Sequence, residues 1–370
     1  MDMLNKFDVI VIGGGIYGAI ASYFLKKNNL NVLLIEKERI GKGGATSFSR
    51  GIVRVYDPDI DLMKIAYEGA LEYIHWDKNK YPGKSPYHQT GFLYLMHKEN
   101  LEMANEFVKE VSSDEYPIDV LKPIQLKEMF PYLTDCNDKI GIYEHKGGYG
   151  DPIQTAYLFY TGYSELGGKV FENCTIEKEM LKFHDGNWEL KMNNTIFQSS
   201  VILNTTGAFI GDFEYEISIF TRSISLSNFQ SHTDLTIKHP IIDEEVETFI
   251  RPVDNDSFFC GSQVFEIVDS PHLLKSKDIL EADDSTQRIK LLIEEDVKLN
   301  YFFKGFDAYT KQNRPYVGFY QNGLYIASGF SGRGYKCAIS VCKNIVEDIR
   351  KYLKDGTEQC SVNWNMHEKV

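Results

Sequence analysis

Apolar runs and helical stripes alternate at the start of the chain, and together they predict a strand–helix–strand unit. Phe7–Ile12 is a short run rich in β-branched residues and followed by glycine, which is typical of a buried parallel strand. Apolar residues then recur with the spacing of one helix face at Ile16, Ala19, Ile20, Tyr23 and Phe24. A second apolar run, Asn31–Ile35, ends at Glu36. We therefore expect a βαβ unit here.

The same criteria predict further elements. Asp151-Pro152 is typical of a helix start, a capping acid followed by proline, and Gly167-Gly168 ends that helix. Two more helices are expected over Ser285–Asn300 and from Tyr335 to Tyr352. Short strands are expected at Lys169–Phe171, Thr175–Glu177, Asn187–Met192, Val201–Asn204, Thr248–Arg251, Ser257–Val268 and Leu324–Ser328.

The first chemical motif follows the first predicted strand. Gly13, Gly15 and Gly18 fit the pattern G-x-G-x-x-G, in which they permit a tight turn, close approach of a pyrophosphate and close helix–strand packing. The phosphates would bind the free N–H groups at the helix N-terminus. Glu36, at the end of the second strand, can accept hydrogen bonds from an adenosine ribose and disfavours NADP. The motif predicts a dinucleotide but does not separate FAD from NAD.

Composition narrows the class of partner. The 370 residues suggest two domains, and the net charge of −13 argues against nucleic acid or an anionic membrane surface. The six cysteines form no Cys-x-x-Cys and the nine histidines have no metal spacing, so we assign neither a disulfide framework nor a metal. No apolar run reaches the length of a membrane span. Asp2 and Asp8 argue against a secretory signal, and we expect a cytoplasmic protein.

Further motifs occur in a fixed order after the glycine motif: Glu36-Lys37, Arg39-Ile40-Gly41, Gly44–Ser47, Ser49–Arg54, Gly148–Pro152, Asn204–Ala208 and Ser328–Lys336. In this order the chain resembles the FAD-dependent oxidoreductases of the D-amino-acid oxidase and monomeric sarcosine oxidase type. The resemblance implies FAD rather than NAD. It also implies an α/β fold, in which a Rossmann-type FAD domain is interleaved with a substrate domain built on a larger, mostly antiparallel sheet.

The resemblance also divides the chain. An FAD domain is expected over residues 1–86, 146–209 and 310–355, a substrate domain over 87–145 and 210–309, and a tail over 356–370. The helix that starts near Tyr335 would direct its positive end at the flavin and stabilise negative charge there. The residues expected to hold FAD are Gly13, Gly15, Ile16, Tyr17, Gly18, Glu36, Lys37, Ala45, Thr46, Ser47, Ile176, Thr206, Gly207, Gly329, Phe330, Gly332, Arg333, Gly334, Tyr335 and Lys336.

Arg54 and Lys336 are the residues expected to hold a substrate carboxylate, as an arginine and a lysine in matching context do in sarcosine-oxidase-like enzymes. Arginine supplies a two-pronged fork and lysine a point charge. Arg50 is an alternative to Arg54, because the spacing of the two arginines departs from the family pattern. Tyr309 is a lesser candidate that could orient an amine. Arg251, at the end of a predicted strand, is expected to be structural more often than functional.

Two departures from the family pattern carry expectations of their own. Sarcosine oxidases attach flavin through a cysteine, but the corresponding stretch, Phe306–Thr310, contains none, so we expect non-covalent FAD. They also carry a lysine over the flavin that promotes reaction with O2. Here the corresponding strand, Asp256–Gly261, has Phe259 or a neighbour in that place, which argues against fast oxidase turnover.

The resemblance therefore implies an FAD-dependent oxidoreductase that oxidises a C–N bond of an amino acid or secondary amine by hydride transfer to flavin N5. Its partner would be a small amine or amino acid. The alternative is a flavoprotein that oxidises a residue of a partner protein, near the flavoproteins that mature cysteine tryptophylquinone enzymes. A non-enzymatic nucleotide-binding regulator is disfavoured by the intact segment Gly329–Lys336.

Overall fold

The structure is a computed structural model that describes residues 5–231, 236–254, 256–294, 296–358 and 360. The α-helices of these residues are α1 (Ile16–Lys27), α2 (Ala45–Phe48), α3 (Ile60–Ile74), α4 (Leu101–Val111), α5 (Pro123–Met129), α6 (Pro152–Glu165), α7 (Ile279–Leu292) and α8 (Gly334–Asp355). Short 3₁₀ segments lie at Lys98–Asn100, Lys178–Met180, Gly207–Phe213 and Pro271–Leu273.

The strands of the same residues follow in chain order. They are β1 (Asn5–Ile12), β2 (Val32–Ile35), β3 (Ile52–Val53), β4 (Tyr87–Gln89), β5 (Phe92–His97), β6 (Ile118–Leu121), β7 (Lys139–Glu144), β8 (Gly148–Gly150), β9 (Lys169–Phe171), β10 (Leu181–His184), β11 (Asn187–Met192), β12 (Thr195–Asn204), β13 (Ile219–Ser231), β14 (Ile241–Asp243), β15 (Thr248–Pro252), β16 (Ser257–Gly261), β17 (Ile267–Val268), β18 (Val297–Thr310), β19 (Tyr316–Gln321) and β20 (Leu324–Ser328).

The first sheet has eight strands with a parallel centre. The order β12-β1-β2-β9 is parallel throughout, and β20 runs parallel to the second half of β12. Antiparallel β11 pairs with the first half of β12. The sheet is extended by β10, which pairs with β11, and by β19, which pairs with β20. Helices α1, α6 and α8 cover one face, where residues such as Val9, Ile20 and Phe159 are fully buried. Burial on both faces explains why the second half of β1, Val9–Ile12, and all of β2 are apolar.

The second sheet has nine strands and is mostly antiparallel. Its order is β17-β13-β16-β15-β14-β5-β7-β6, and only the β14–β5 pair is parallel among these strands. The long strand β18 pairs with all of β13, from Ile219 opposite Thr310 to Ser231 opposite Val297. Helix α7 packs on this sheet through Ile289 and Leu292. Strands β3, β8 and β4 form a small third sheet near the cavity described below.

The expected fold class is confirmed, because a parallel-centred nucleotide-type unit is interleaved with a larger, mostly antiparallel sheet. The strands of the first sheet come from residues 5–35, 169–204 and 316–328, and those of the second from 92–144 and 219–310. The exact domain boundaries stay a prediction. Of the expected tail over 356–370, residues 359 and 361–370 lie outside the described residues; Gly356 ends α8 with a φ of 75°.

Three predicted elements were wrong. Thr175–Glu177 forms no strand, and the strand expected over Ser257–Val268 stops at Gly261 and resumes as the short β17. The helix expected over Ser285–Asn300 is instead α7, which ends at Leu292 before β18 begins at Val297. Its start lies earlier because Asp278 caps it, with its carboxylate accepting from the N–H of Leu280. The residues from Val297 onward belong to β18. Their apolar positions continue the helical spacing of α7, so the sequence pattern assigned them to the helix.

None of the helices in the described residues is both long and apolar enough to cross a bilayer.

The start of α6 was predicted correctly: the Asp151 carboxylate accepts a hydrogen bond of 2.9 Å from the N–H of Gln154, and Pro152 follows.

We predict that Asp151→Ala lowers the free energy of unfolding by about 1 kcal/mol, because the first turn of α6 loses its cap. Urea denaturation of the purified protein measures this loss. Glu165→Ala is the matched control, since it removes an exposed acid from the other end of the same helix, where an acid opposes the helix dipole. An equal loss in both variants would contradict the capping role.

Candidate active site

The carboxyl ends of four parallel strands meet at one edge of the first sheet, and a cavity of about 670 Å³ opens there. Gly13 follows β1, Glu36 follows β2, Thr205 follows β12 and Gly329 follows β20. Such an edge is where open parallel sheets bind ligands. Strands β13 and β18 of the second sheet supply the opposite wall. The cavity therefore lies between the two sheets.

The glycine-rich segments at the two ends of the chain touch at this cavity. The ring of Tyr17 stacks on that of Phe330 with centroids 4.0 Å apart, and its hydroxyl donates to the carbonyl of Gly334 at 2.8 Å. Ser328 donates to the carbonyl of Gly207 at 2.9 Å and ties in a third segment. Three motifs that the sequence presents separately thus form one wall.

The three glycines of the first motif have different reasons to be glycine. Gly13 has a φ of +101°, and a Cβ there would lie 2.7 Å from the carbonyl oxygen of Thr205. A Cβ on Gly18 would lie 1.8 Å from the carbonyl oxygen of Gly13, which forces close packing of α1 on β1. A Cβ on Gly15 would meet only the hydroxyl of Thr46, at 3.3 Å. Gly13 and Gly18 are thus required by the fold, and Gly15 by whatever the cavity holds.

Polar groups of the first motif are arranged around the start of α1. The Glu36 carboxylate accepts from the N–H of Gly14 at 2.5 Å and from that of Glu38 at 2.9 Å, and burial raises its pKa. The N–H of Ile16 donates to the Thr46 hydroxyl at 3.0 Å. Lys37 lies over the ring of Phe209, with Nζ 3.1 Å from the centroid.

Most residues expected to hold FAD line the cavity. They are Gly13, Gly15, Ile16, Tyr17, Glu36, Lys37, Ala45, Thr46, Ile176, Thr206, Gly207, Gly329, Phe330, Gly332, Arg333, Gly334, Tyr335 and Lys336. Gly18 and Ser47 are not among the lining residues: Gly18 packs against Gly13, and the Ser47 hydroxyl donates to the carbonyl of Gly44. Ile176 lines the cavity although its segment is not a strand.

The C-terminal loop leads directly into α8. Gly329 and Gly332 both have a φ of +78°, so the loop needs glycine at two turns. Helix α8 begins at Gly334 and carries no acidic residue in its first turn, so the positive end of its dipole faces the cavity without compensation from that turn. Tyr335 lines the cavity but is chiefly a packing residue: it stacks on Tyr73 and its hydroxyl bonds that of Thr155.

Arg54 and Lys336 are brought together, but not alone. Lys336 Nζ lies 3.0 Å from Oδ2 of Asp57, and Arg54 Nη2 lies 3.7 Å from the same oxygen. Arg333 Nε is also 2.9 Å from it. The pair predicted from sequence is thus part of a four-residue cluster of three cations and one carboxylate. Within the described residues, Nη1 of Arg54 is buried and has no hydrogen-bond partner.

Arg50 lines the cavity at a different place. Its guanidinium lies over the rings of Phe259 and Phe303, 4.5 and 4.7 Å from their centroids, and Nε finds no hydrogen-bond partner among the described residues. Arg50 therefore lies over Phe259, the residue expected in place of the lysine of sarcosine oxidases, and the expected slow oxidase turnover stays a prediction. Arg251 does not line the cavity: it donates to the carbonyls of Arg50 and Pro252 and has a structural role.

Tyr309 lines the cavity as expected, beside two residues that sequence reasoning missed. Asp307 accepts from the N–H groups of Ala308 and Gly332 at 2.7 and 2.9 Å, and burial raises its pKa to about 6. Arg222 lies over the Tyr309 ring, 5.2 Å from the centroid. Burial, with Asp307 nearby, raises the pKa of Tyr309 to about 12. Alternation along β18 places Asp307 and Tyr309 on the same side, and Arg222 faces them from β13.

Asp57 is the other residue that sequence reasoning missed. It lies three residues after Arg54, and an acid that close to a predicted anion site was the available signal.

A family model described as FAD dependent oxidoreductase matches residues 8–347 of the chain. The chain belongs to this family. It is 25% identical over 213 residues to the mitochondrial dimethylglycine dehydrogenase of Rattus norvegicus, a match that covers 55% of this chain and 24% of that relative. It is 28% identical over 170 residues to the peroxisomal sarcosine oxidase of Homo sapiens, covering 45% of this chain and 42% of the relative. The match thus spans about a quarter to two fifths of the length of these relatives.

The fold of the family is confirmed by a solved structure as well. The L-proline dehydrogenase from P. horikoshii superposes with a TM-score of 0.78 at 21% identity, covering 98% of this chain and 97% of that one. The expected resemblance and fold class are therefore confirmed. The suggested proximity to quinone-maturing flavoproteins stays a prediction.

The lining residues fit the FAD that the family name implies. The cradle at Gly15 is open where a Cβ would stand, and Glu36 lies beside it at the end of β2. At the other end, positive charge is offered to electron-rich groups by the start of α8 and by the nitrogens of Arg50 and Arg54 that have no partner within the described part of the chain. These residues would hold FAD, which would supply the hydride acceptor.

We predict that Gly15→Val weakens FAD binding without unfolding the protein, because its side chain enters the cradle at a position where an added Cβ meets only the Thr46 hydroxyl. Overpacking of this kind typically costs about 1–3 kcal/mol, or roughly 5- to 150-fold in FAD affinity. Fluorescence titration of apoprotein with FAD, alongside circular dichroism, measures both effects. Gly18→Ala should behave differently and destabilise the fold itself. An FAD affinity that is unchanged in Gly15→Val would contradict the assignment of the cradle.

Proposed function

We propose that this chain oxidises a C–N bond of a small carboxylate-bearing amine or amino acid, using non-covalently bound FAD. The observation that carries the proposal is the cluster of Arg54, Arg333 and Lys336, which lines the same cavity as the dinucleotide cradle. Three cations around one internal carboxylate leave a net charge of about +2 when all are ionised. A largely buried surplus of positive charge is unfavourable by itself, and an anionic ligand would compensate it.

Arg54 and Lys336 would hold the substrate carboxylate. Arg54 offers the buried Nη1, which no group in the described ranges contacts by a hydrogen bond, and Lys336 retains two donors beyond the one bonded to Asp57. Fixing the carboxylate at two points would orient the neighbouring C–H bond, so that binding energy is used for positioning. The positive cluster would also disfavour protonation of the substrate amine and keep its nitrogen lone pair available. FAD, when bound, would accept the hydride from the carbon next to that nitrogen.

The substrate class follows from two kinds of support. The relatives and the superposed protein are named for dimethylglycine, sarcosine and proline, each an amino acid whose nitrogen carries an additional carbon. In this chain, Tyr309 faces the same cavity and could orient an amine. We therefore propose N-substituted amino acids first and unsubstituted small amino acids second.

The start of α8 would stabilise the negative charge that develops on reduction. Arg333 is the first residue before the helix, and Gly334 begins it. A helix N-terminus and a guanidinium act together on an adjacent electron-rich edge, because both are fixed before reaction.

We predict that Arg54→Ala and Lys336→Ala keep FAD but lose reduction by a carboxylate-bearing amine. Loss of one charge-assisted hydrogen bond costs about 1.5–3 kcal/mol, roughly 10- to 150-fold in the second-order rate of reduction. Anaerobic stopped-flow absorbance with sarcosine, dimethylglycine, proline and glycine measures it. Arg251→Gln is a control of equal charge change outside the cavity. Unchanged kinetics in both cavity variants would remove the proposed clamp, and reduction only with a partner protein present would favour the protein-modifying alternative.

We also predict that heat releases all of the flavin. Residues 306–310 contain no thiol, and Cys174, which lines the cavity, lies beside Glu36 at the dinucleotide end. FAD fluorescence in the supernatant of heat-denatured protein should equal the total flavin. Flavin that stays with the precipitate, and is lost in Cys174→Ser, would contradict non-covalent binding.

A further inference from the structure

Among the residues that the structure describes, Asp57 is the acid that contacts all three cations of the cluster. A single oxygen, Oδ2, lies 2.9 Å from Arg333 Nε, 3.0 Å from Lys336 Nζ and 3.7 Å from Arg54 Nη2. The carboxylate is fully buried, with its side chain 0% exposed. Its second oxygen accepts from the N–H of Asp59 at 3.3 Å. Three cations that line the cavity are thus held from behind by one group that does not line it.

We propose that Asp57 is a positioning residue of the carboxylate site: it keeps Lys336 charged and in place, and thereby sets the highest pH at which a substrate carboxylate is bound. The inference rests on the proposed function, because it assigns a role within the same site. Asp57 would act only through Lys336 and Arg54, without touching the substrate.

Burial is the reason that Lys336 needs such a partner. Its side chain is 3% exposed, and a lysine removed from water loses its proton readily unless an anion lies beside it. Burial and the neighbouring Arg54 lower the pKa of Lys336 to about 8, while Asp57 opposes them. Burial alone would raise the pKa of Asp57, but Lys336, Arg54 and Arg333 hold it well below its usual value. Asp57 therefore stays ionised wherever Lys336 titrates.

The other groups around this pair do not replace Asp57. Cys337 on α8 is buried, and burial raises its pKa to about 11, so it remains neutral where Lys336 titrates. On the side of Arg54, Glu144 of β7 is engaged by the N–H groups of Val55 and Tyr56 and by the Tyr116 hydroxyl. Tyr56 and Tyr94 face Arg54, and burial raises the pKa of Tyr56 to about 12.

The direction of the pH effect follows. Lys336 binds a carboxylate in its charged form, which is present below its pKa, so affinity should fall as the pH rises through about 8. Asp57→Asn removes the anion that favours the charged form. The fall in affinity should then occur at least about one pH unit lower.

Acetate binding to the FAD-loaded protein tests this without turnover. Sodium acetate is titrated from about pH 6 to pH 10 while the flavin absorbance is followed, and acetamide is the uncharged control. The wild type should show the fall near pH 8, Asp57→Asn should show it lower, and Lys336→Arg should show none in this range. Asp59→Asn, in the same segment, caps α3 and pairs with Arg314, so it should cost stability but leave the profile in place.

A second variant serves if Asp57→Asn does not fold. Arg333→Gln removes a cation that competes for Oδ2, so it should move the fall in affinity to higher pH, opposite to the first variant. The role of Asp57 would be overturned if the pH of the fall in acetate affinity were unchanged in every Asp57 and Arg333 variant that folds, or if it moved equally in Asp59→Asn. Either result would leave the carboxylate site itself standing. Absence of acetate binding to the wild type with a normal flavin spectrum would overturn the carboxylate site as well.

Discussion

The contact between Tyr17 and the segment Phe330–Gly334 is the constraint on which the site depends. The hydroxyl of Tyr17 reaches the carbonyl of Gly334 across a separation of 317 residues, and the ring of Phe330 stacks on the ring of Tyr17. This contact places the starts of α1 and α8, two positive helix ends, on one cavity. The same wall of the cavity can then bind both the dinucleotide and the substrate.

The charge of the cavity differs between its α1 end and its α8 end. At the α1 end, Glu36 is a single carboxylate held by backbone N–H groups. At the α8 end, cations outnumber acids, and two guanidinium nitrogens are buried without partners among the described residues. Unpartnered buried donors are costly in a native fold and are tolerated where a ligand completes them. The chain therefore concentrates its positive charge at the α8 end of the cavity, where we propose the carboxylate site.

The sequence predicted the parallel centre well because glycine spacing, β-branched runs and a helical stripe agree over residues 7–36. It predicted Arg54 and Lys336 for the same wall because both lie in motifs with a fixed order. Asp57, Asp307 and Arg222 could not be placed in this way, since their meaning comes from strand register and from neighbours far along the chain. The helix expected over 285–300 was wrong because the apolar spacing of α7 continues into the first residues of β18. The end of the helix becomes clear from the pairing of β18 with β13, which the sequence does not show.

The discontinuous parallel sheet has a consequence for how the protein is made. Strand β20 and helix α8 complete the wall that β1 and α1 begin, so a nascent chain lacks a finished cradle until α8 has left the ribosome. Long-range strand pairing of this kind is slow to form and exposes apolar surface meanwhile. Uptake of the prosthetic group therefore has to await the synthesis of α8, and it would hold together segments that lie 317 residues apart in the chain.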